Sequence, residues 1–245
     1  MRTKLLPILL LMLVLCACGS QSQASTTPAG PQPAPTCKSS VAIASTNSPS
    51  STAPQGVTPQ HMQMGPHMKM TSYRPVAAND MARVEAIAQN AEVCFAKYKD
   101  YHLALRDGYQ IFTPNVPQDI YHFASVQNFQ EAQTTFDLAH PSALLYKAVG
   151  KGYQLAGVMY SAPANTTEDQ LNQDIPLSVA PWHLHVNICL PAGSGGRSLF
   201  AGNSLFGLTG TITTQAQCTK VGGTFYLQMF GWMVHIPLFG NTSVN

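Results

Sequence analysis

The 245 residues carry 13 Lys and Arg against 11 Asp and Glu, a formal net charge of +2 with histidines neutral. So even a balance lacks the clustered positive field that nucleic acid binding needs, and no nucleic acid partner is expected. From Ile175 to Asn245 the only charged side chains are Arg197 and Lys220, so any chemistry in that stretch has to come from His, Cys, Met, hydroxyl, amide or backbone groups.

The chain opens on Met1-Arg2-Thr3-Lys4, runs through apolar residues from Leu5 to Leu15, and reaches Cys16-Ala17-Cys18-Gly19. A basic start, a short apolar core and a small residue before the cut read as a signal peptide over residues 1–17. The apolar run is well short of the roughly 20 residues of a membrane-spanning helix. Leu15-Cys16-Ala17-Cys18 resembles the lipobox of bacterial lipoproteins. The resemblance implies that Cys18 is diacylated and becomes the first mature residue. It further implies a lipid bilayer as partner and the bacterial cell envelope as location. Gly19 in place of Asp implies the outer membrane in a two-membrane cell. Loss of Arg2 and Lys4 would leave 13 − 2 = 11 basic against 11 acidic side chains.

Residues 18–72 read as a Ser/Thr/Pro-rich tether. Between Gly19 and Gln60 there is no aromatic residue and one charge, Lys38. Such a composition cannot bury enough apolar surface to offset the entropy of ordering, so disorder is expected. A flexible coil of that length has an end-to-end distance of about 35 Å. The tether ends in His61-Met62-Gln63-Met64-Gly65-Pro66-His67-Met68-Lys69-Met70, the unit His-Met-x-Met written twice. Thioether is a soft ligand that selects Cu(I), and imidazole accepts copper in either oxidation state. His61, Met62, Met64, His67, Met68 and Met70 are therefore candidate copper ligands, and the run is similar to those of periplasmic copper-handling proteins.

A single folded domain is expected over 73–245. Met81, Val84, Ile87, Ala88, Ala91, Cys94, Phe95, Tyr98 and Leu105 recur at three- and four-residue steps, which predicts one long helix from Asn79 to Gly108. Beyond it come short β-like runs at 121–126, 143–149, 153–160, 182–189, 205–213, 224–230 and 232–238, most of them separated by glycine-rich turns. The fold class expected is α+β, a long N-terminal helix packed on an antiparallel β-sandwich or open barrel.

Trp182-His183-Leu184-His185-Val186-Asn187-Ile188-Cys189 supplies a second constellation. Alternation along a strand puts Trp182, Leu184, Val186 and Ile188 on one face and His183, His185, Asn187 and Cys189 on the other. Two histidines two residues apart on a strand are half of a common metal site. His122 and His235, each on a predicted strand, are the partners at hand. With nitrogen donors and no carboxylate nearby, copper or zinc is favoured over magnesium or calcium. Of the four cysteines beyond Cys18, Cys189 and Cys218 make the favoured disulfide of three possible pairings, in a compartment where such bonds persist. Cys94 lies on the apolar side of the helix, where burial alone accounts for it.

Lys97-Tyr98-Lys99-Asp100, Asp107-Gly108-Tyr109, Tyr121-His122-Phe123, Pro141 to Tyr146, Leu155 to Tyr160 and Trp182 to His185 together resemble an uncharacterised family of secreted bacterial proteins. The resemblance runs from the helix to about Cys189. Relatives often read Trp-x-x-His in the tryptophan segment, which implies that His185 matters more than His183. The family brings no activity with it. The chain shows no nucleophile elbow, phosphate loop or dinucleotide fingerprint, so no catalytic residue is assigned. The function expected is an envelope metal-binding lipoprotein that sequesters or transfers copper. The alternatives are a cupin-like metalloenzyme using the histidines, and a structural or adhesive surface domain without metal.

Overall fold

The computed structural model describes residues 36–41, 65–194, 198–200 and 205–241. The chain divides into Met1–Ala34 and Pro35–Asn245, and every described residue belongs to the second part. Cys18, the signal peptide, His61, Met62 and Met64 lie outside the described residues. No helix among the described residues is long and apolar enough to cross a membrane.

One antiparallel sheet organises the domain. Its strands are β1 (Met68–Met70), β2 (Gln110–Ile111), β3 (Tyr121–Ala124), β4 (Ala143–Val149), β5 (Gly152–Ala162), β6 (His183–Pro191) and β7 (Gly223–Pro237). They lie in the order β1-β6-β7-β5-β4-β3-β2. The α+β class and the antiparallel pairing are as expected, but the seven strands form a single sheet and not the two layers of a sandwich. The expected strand at 205–213 is absent; there the chain turns and leads into helix α5 (Gln215–Lys220), whose capping box is Thr214 with Gln217. The runs expected at 224–230 and 232–238 are one strand, because Phe230 takes φ +62° and Gly231 passes the kink without ending the pairing.

The single long helix expected from Asn79 to Gly108 is instead three pieces. They are α1 (Asp80–Phe95), a 3₁₀ turn (Ala96–Lys99) and α2 (Tyr101–Arg106). Two side chains explain the break. The Tyr146 hydroxyl donates to the Tyr98 carbonyl at 2.7 Å, and Asp100 accepts from the His102 backbone N–H at 3.0 Å. The carbonyl and N–H that would have joined Tyr98 to His102 in a continuous helix are thus both engaged elsewhere. Gly108, at φ +97°, ends α2 where the sequence placed the helix stop. Helices α3 (Val126–Glu131) and α4 (Glu168–Asp174) complete the set.

The main core lies between α1 and one face of the sheet. Ile87, Ala91 and Phe95 pack there with Phe123, Leu144, Tyr146, Val158, Tyr160, Trp182, Leu184, Val234 and Ile236. At about 25 cal/mol per Å² of apolar surface removed from water, this burial is the principal stabilising term.

The tether meets this domain earlier than expected. The boundary at residue 73 comes too late on two counts. Cys37 forms a disulfide with Cys94, which therefore is not merely a buried thiol. Asn90 locks the same segment by accepting from the Lys38 N–H at 3.0 Å and donating to its carbonyl at 2.8 Å. Further along, β1 pairs with β6, and backbone hydrogen bonds compensate for the weak apolar content of the segment.

Candidate metal site

The sheet face opposite the main core carries the histidines. Directly opposed residues of antiparallel strands project from the same face, so the register can be followed strand by strand. His122 on β3 stands opposite Leu145, Met159 on β5 opposite both Ala143 and His235, and Met233 on β7 opposite His183. Ile120, Ala143, Leu145, Met159 and Met233 pack into a small apolar cluster on this side. The alternation expected from Trp182 holds at its start. Trp182 and Leu184 are buried in the main core, while His183 and His185 face the other way. It is interrupted at Asn187, which takes φ +56°. Cys189 is bound in a disulfide with Cys218 and so cannot serve as a ligand.

The four imidazoles follow one another closely. Ring centroids are 5.5 Å apart for His183 and His185, 5.1 Å for His183 and His235, and 5.3 Å for His122 and His235. The Nε2 atoms of His122 and His235 are 3.5 Å apart. These two residues sit on β3 and β7, with β4 and β5 between them. In a flat sheet their backbones would be about 14 Å apart, at 4.7–4.9 Å per strand. For the rings to meet, the sheet must curl about this face and the side chains lean inward. Among the described residues no group of three or more His, Cys, Asp or Glu is set as a ready metal centre. The convergence of three histidine nitrogens on one point is therefore not present; the arrangement is a row of four rings with one close pair.

The electrostatics suit neutral rings. Burial pushes His122 down to about 4, against a smaller opposing pull from the Ile120 carbonyl, which makes no well-formed hydrogen bond with Nδ1. Burial, followed by the neighbouring His185 and His122, pushes His183 down to about 3. Burial, followed by His122 and His67, pushes His185 down to about 4. No carboxylate contributes to any of the three. Nδ1 of His183 and of His185 is buried without a hydrogen-bond partner, an arrangement that costs about 1–3 kcal/mol per group. Neutral imidazole is the ligating form, so a metal ion would meet little competition from protons here.

The second half of the Met/His repeat is not a free linker. His67 is buried, with Nδ1 2.9 Å from the Asn187 carbonyl oxygen and Nε2 2.7 Å from that of Gly210. One ring nitrogen is thereby covered by a carbonyl of β6 and the other by a carbonyl of the 205–213 segment, which removes His67 from the ligand set. Met68 and Met70 stand opposite His185 and His183. This juxtaposition was beyond sequence reasoning, because it depends on β1 being the neighbour of β6. At the far side of His185 lies Phe230, its ring centroid 6.4 Å away. A cleft of about 580 Å³ runs along Gln110–Val116, Ala124 and Val126, and none of the four histidines lines it.

No family model matches the chain, and no similar curated protein or solved structure was found.

Proposed function

We propose that the protein is an envelope metal-binding lipoprotein that sequesters or passes on copper, with zinc as the other metal its nitrogen donors suit. The observation that carries this reading is the 3.5 Å separation of the His122 and His235 Nε2 atoms within a row of four imidazoles. Two nitrogens bound to one tetrahedral ion at 2.0–2.1 Å stand about 3.3 Å from each other. A half-buried pair at nearly that distance, continued by His183 and His185 whose Nδ1 atoms are buried without a hydrogen-bond partner, offers a cation neutral nitrogen donors.

The test is metal analysis of the full chain purified in detergent, loaded separately with copper and zinc. His185→Ala and His235→Ala are each expected to lower affinity by about 10–100-fold, the effect of disturbing even an outer partner of a metal ligand. Equal affinity in wild type and both variants would remove the histidines from the function. Attachment to the membrane rests on Cys18 and is tested separately. Cys18→Ser is expected to move the protein from the detergent phase to the aqueous phase on partitioning. A variant that still fractionated with membranes would refute lipid anchoring at this cysteine.

A further inference from the structure

The histidine face is also a methionine face. Met70 and Met233 flank His183 from the two neighbouring strands, Met68 lies across from His185, and Met159 lies across from His235. Opposed Cβ atoms in such pairs are about 4.5–5.5 Å apart, a distance that the unbranched, three-torsion methionine side chain spans easily. Met159 and Met233 are buried, and Met68 and Met70 are half-buried at the edge formed by β1. Each histidine of β6 and β7 thus has a thioether beside it from another strand. A donor set confined to His, Cys, Asp and Glu leaves this site incomplete, whereas adding thioethers supplies its missing soft members.

We propose that β1 completes the histidine site as a mixed imidazole–thioether centre for Cu(I), with Met68 and Met70 as thioether donors beside His185 and His183. This inference rests on the metal-binding reading above and narrows it to one oxidation state. It also unites what the sequence presents as two sites, a collecting linker and a folded histidine strand. Thioether is a soft ligand with little attraction for Zn(II), while imidazole serves both ions. Losing the two methionines therefore weakens Cu(I) binding and leaves Zn(II) binding in place. His67, fixed between the Asn187 and Gly210 carbonyls, is the latch that holds β1 in register for this role.

The experiment compares the detergent-purified full chain with the double variants Met68→Leu/Met70→Leu and Met62→Leu/Met64→Leu. Competition against a chromophoric chelator measures Cu(I) under anaerobic reducing conditions, and Zn(II) is titrated in parallel. Leu for Met conserves volume, so folding should survive, and Zn(II) affinity within about threefold of wild type, together with an unchanged melting curve, verifies it. The first double variant is expected to lose at least about tenfold in Cu(I) affinity, the lower end for disturbed metal ligation. The second should lose less than about threefold in the same assay. Selenomethionine labelling adds a direct readout, a copper–selenium shell in X-ray absorption that vanishes in the first variant. Unchanged Cu(I) affinity in the first variant, with the histidine variants impaired, would overturn this inference and leave the metal-binding function standing. A larger loss in the second variant would assign the thioethers to the 61–64 half of the repeat instead. Wild type that binds neither ion would refute both readings.

Discussion

Bringing the metal-free domain from pH 7 to pH 5 is expected to lower its unfolding free energy by about 4 kcal/mol, a large share of the 5–15 kcal/mol typical of a domain. His122, His183 and His185 are neutral in the fold, lowered to about 4, 3 and 4 by burial above all. Unfolded, each returns to about 6.5. Between these values the unfolded chain binds more protons, so stability is complete above about pH 6.5 and is lost as the pH falls towards 4. Between pH 7 and 5 each ring contributes about 1.8 kcal/mol to the loss, about 5.5 kcal/mol for the three, from 1.36 kcal/mol per pKa unit over the part of the window crossed. Asp174 works the other way. Burial raises it to about 6, so protonation relieves it and returns about 1 kcal/mol over the same range. Urea unfolding at pH 7, 6 and 5 measures the slope. Saturating metal holds the rings neutral and should move the acid limb to lower pH. A stability flat to within about 1 kcal/mol between pH 7 and 5 would mean that these rings are not held neutral by the fold.

Gly231→Ala is expected to destabilise the domain by about 3 kcal/mol, the upper end for overpacking a close-packed site. A β-carbon at this position would fall well inside van der Waals contact with the Ala162 carbonyl oxygen. That atom is backbone on the adjacent strand and cannot turn aside. The kink at Phe230 and Gly231 also sets the register. On one side of it Met229 lies opposite His185, and on the other Met233 lies opposite His183, so β7 uses four steps where β6 uses two. The substitution should therefore weaken metal binding as well as folding, since His235 and Met233 follow the kink. Thermal melting and copper affinity read the two effects. A melting curve within about 1 kcal/mol of wild type would show that the strands part at no cost, against the close packing argued here.

The sequence made some of this legible through short-range periodicity. Trp182 and Leu184 against His183 and His185 is a period-two signal, and it put the right residues on opposite faces. The helix from Asp80 was visible in its three- and four-residue steps, but its break was not, because the Tyr146 hydroxyl that captures the Tyr98 carbonyl comes from 48 residues away. The pairing of Cys37 with Cys94, across 57 residues, was hidden for a similar reason, with one partner in a stretch whose composition argues for disorder. The meeting of His122 with His235, and of Met68 with His185, depends on strand order and curvature. Local pattern carries neither. Composition misjudged β1, since His67-Met68-Lys69-Met70 has no strand signature and gains its order from β6 and the two carbonyls around His67.

The disulfide between Cys37 and Cys94 sets a working radius. If Cys18 bears the lipid, as proposed, the leash from membrane to domain is 37 − 18 = 19 residues long. Fully stretched, it reaches at most about 65 Å, at 3.3–3.6 Å per residue. A leash running to residue 73 would have reached about 190 Å on the same measure. A lipid on Cys18 would then keep Cys37 within about 65 Å of the bilayer, and any donor or acceptor of a bound metal would have to operate within that reach.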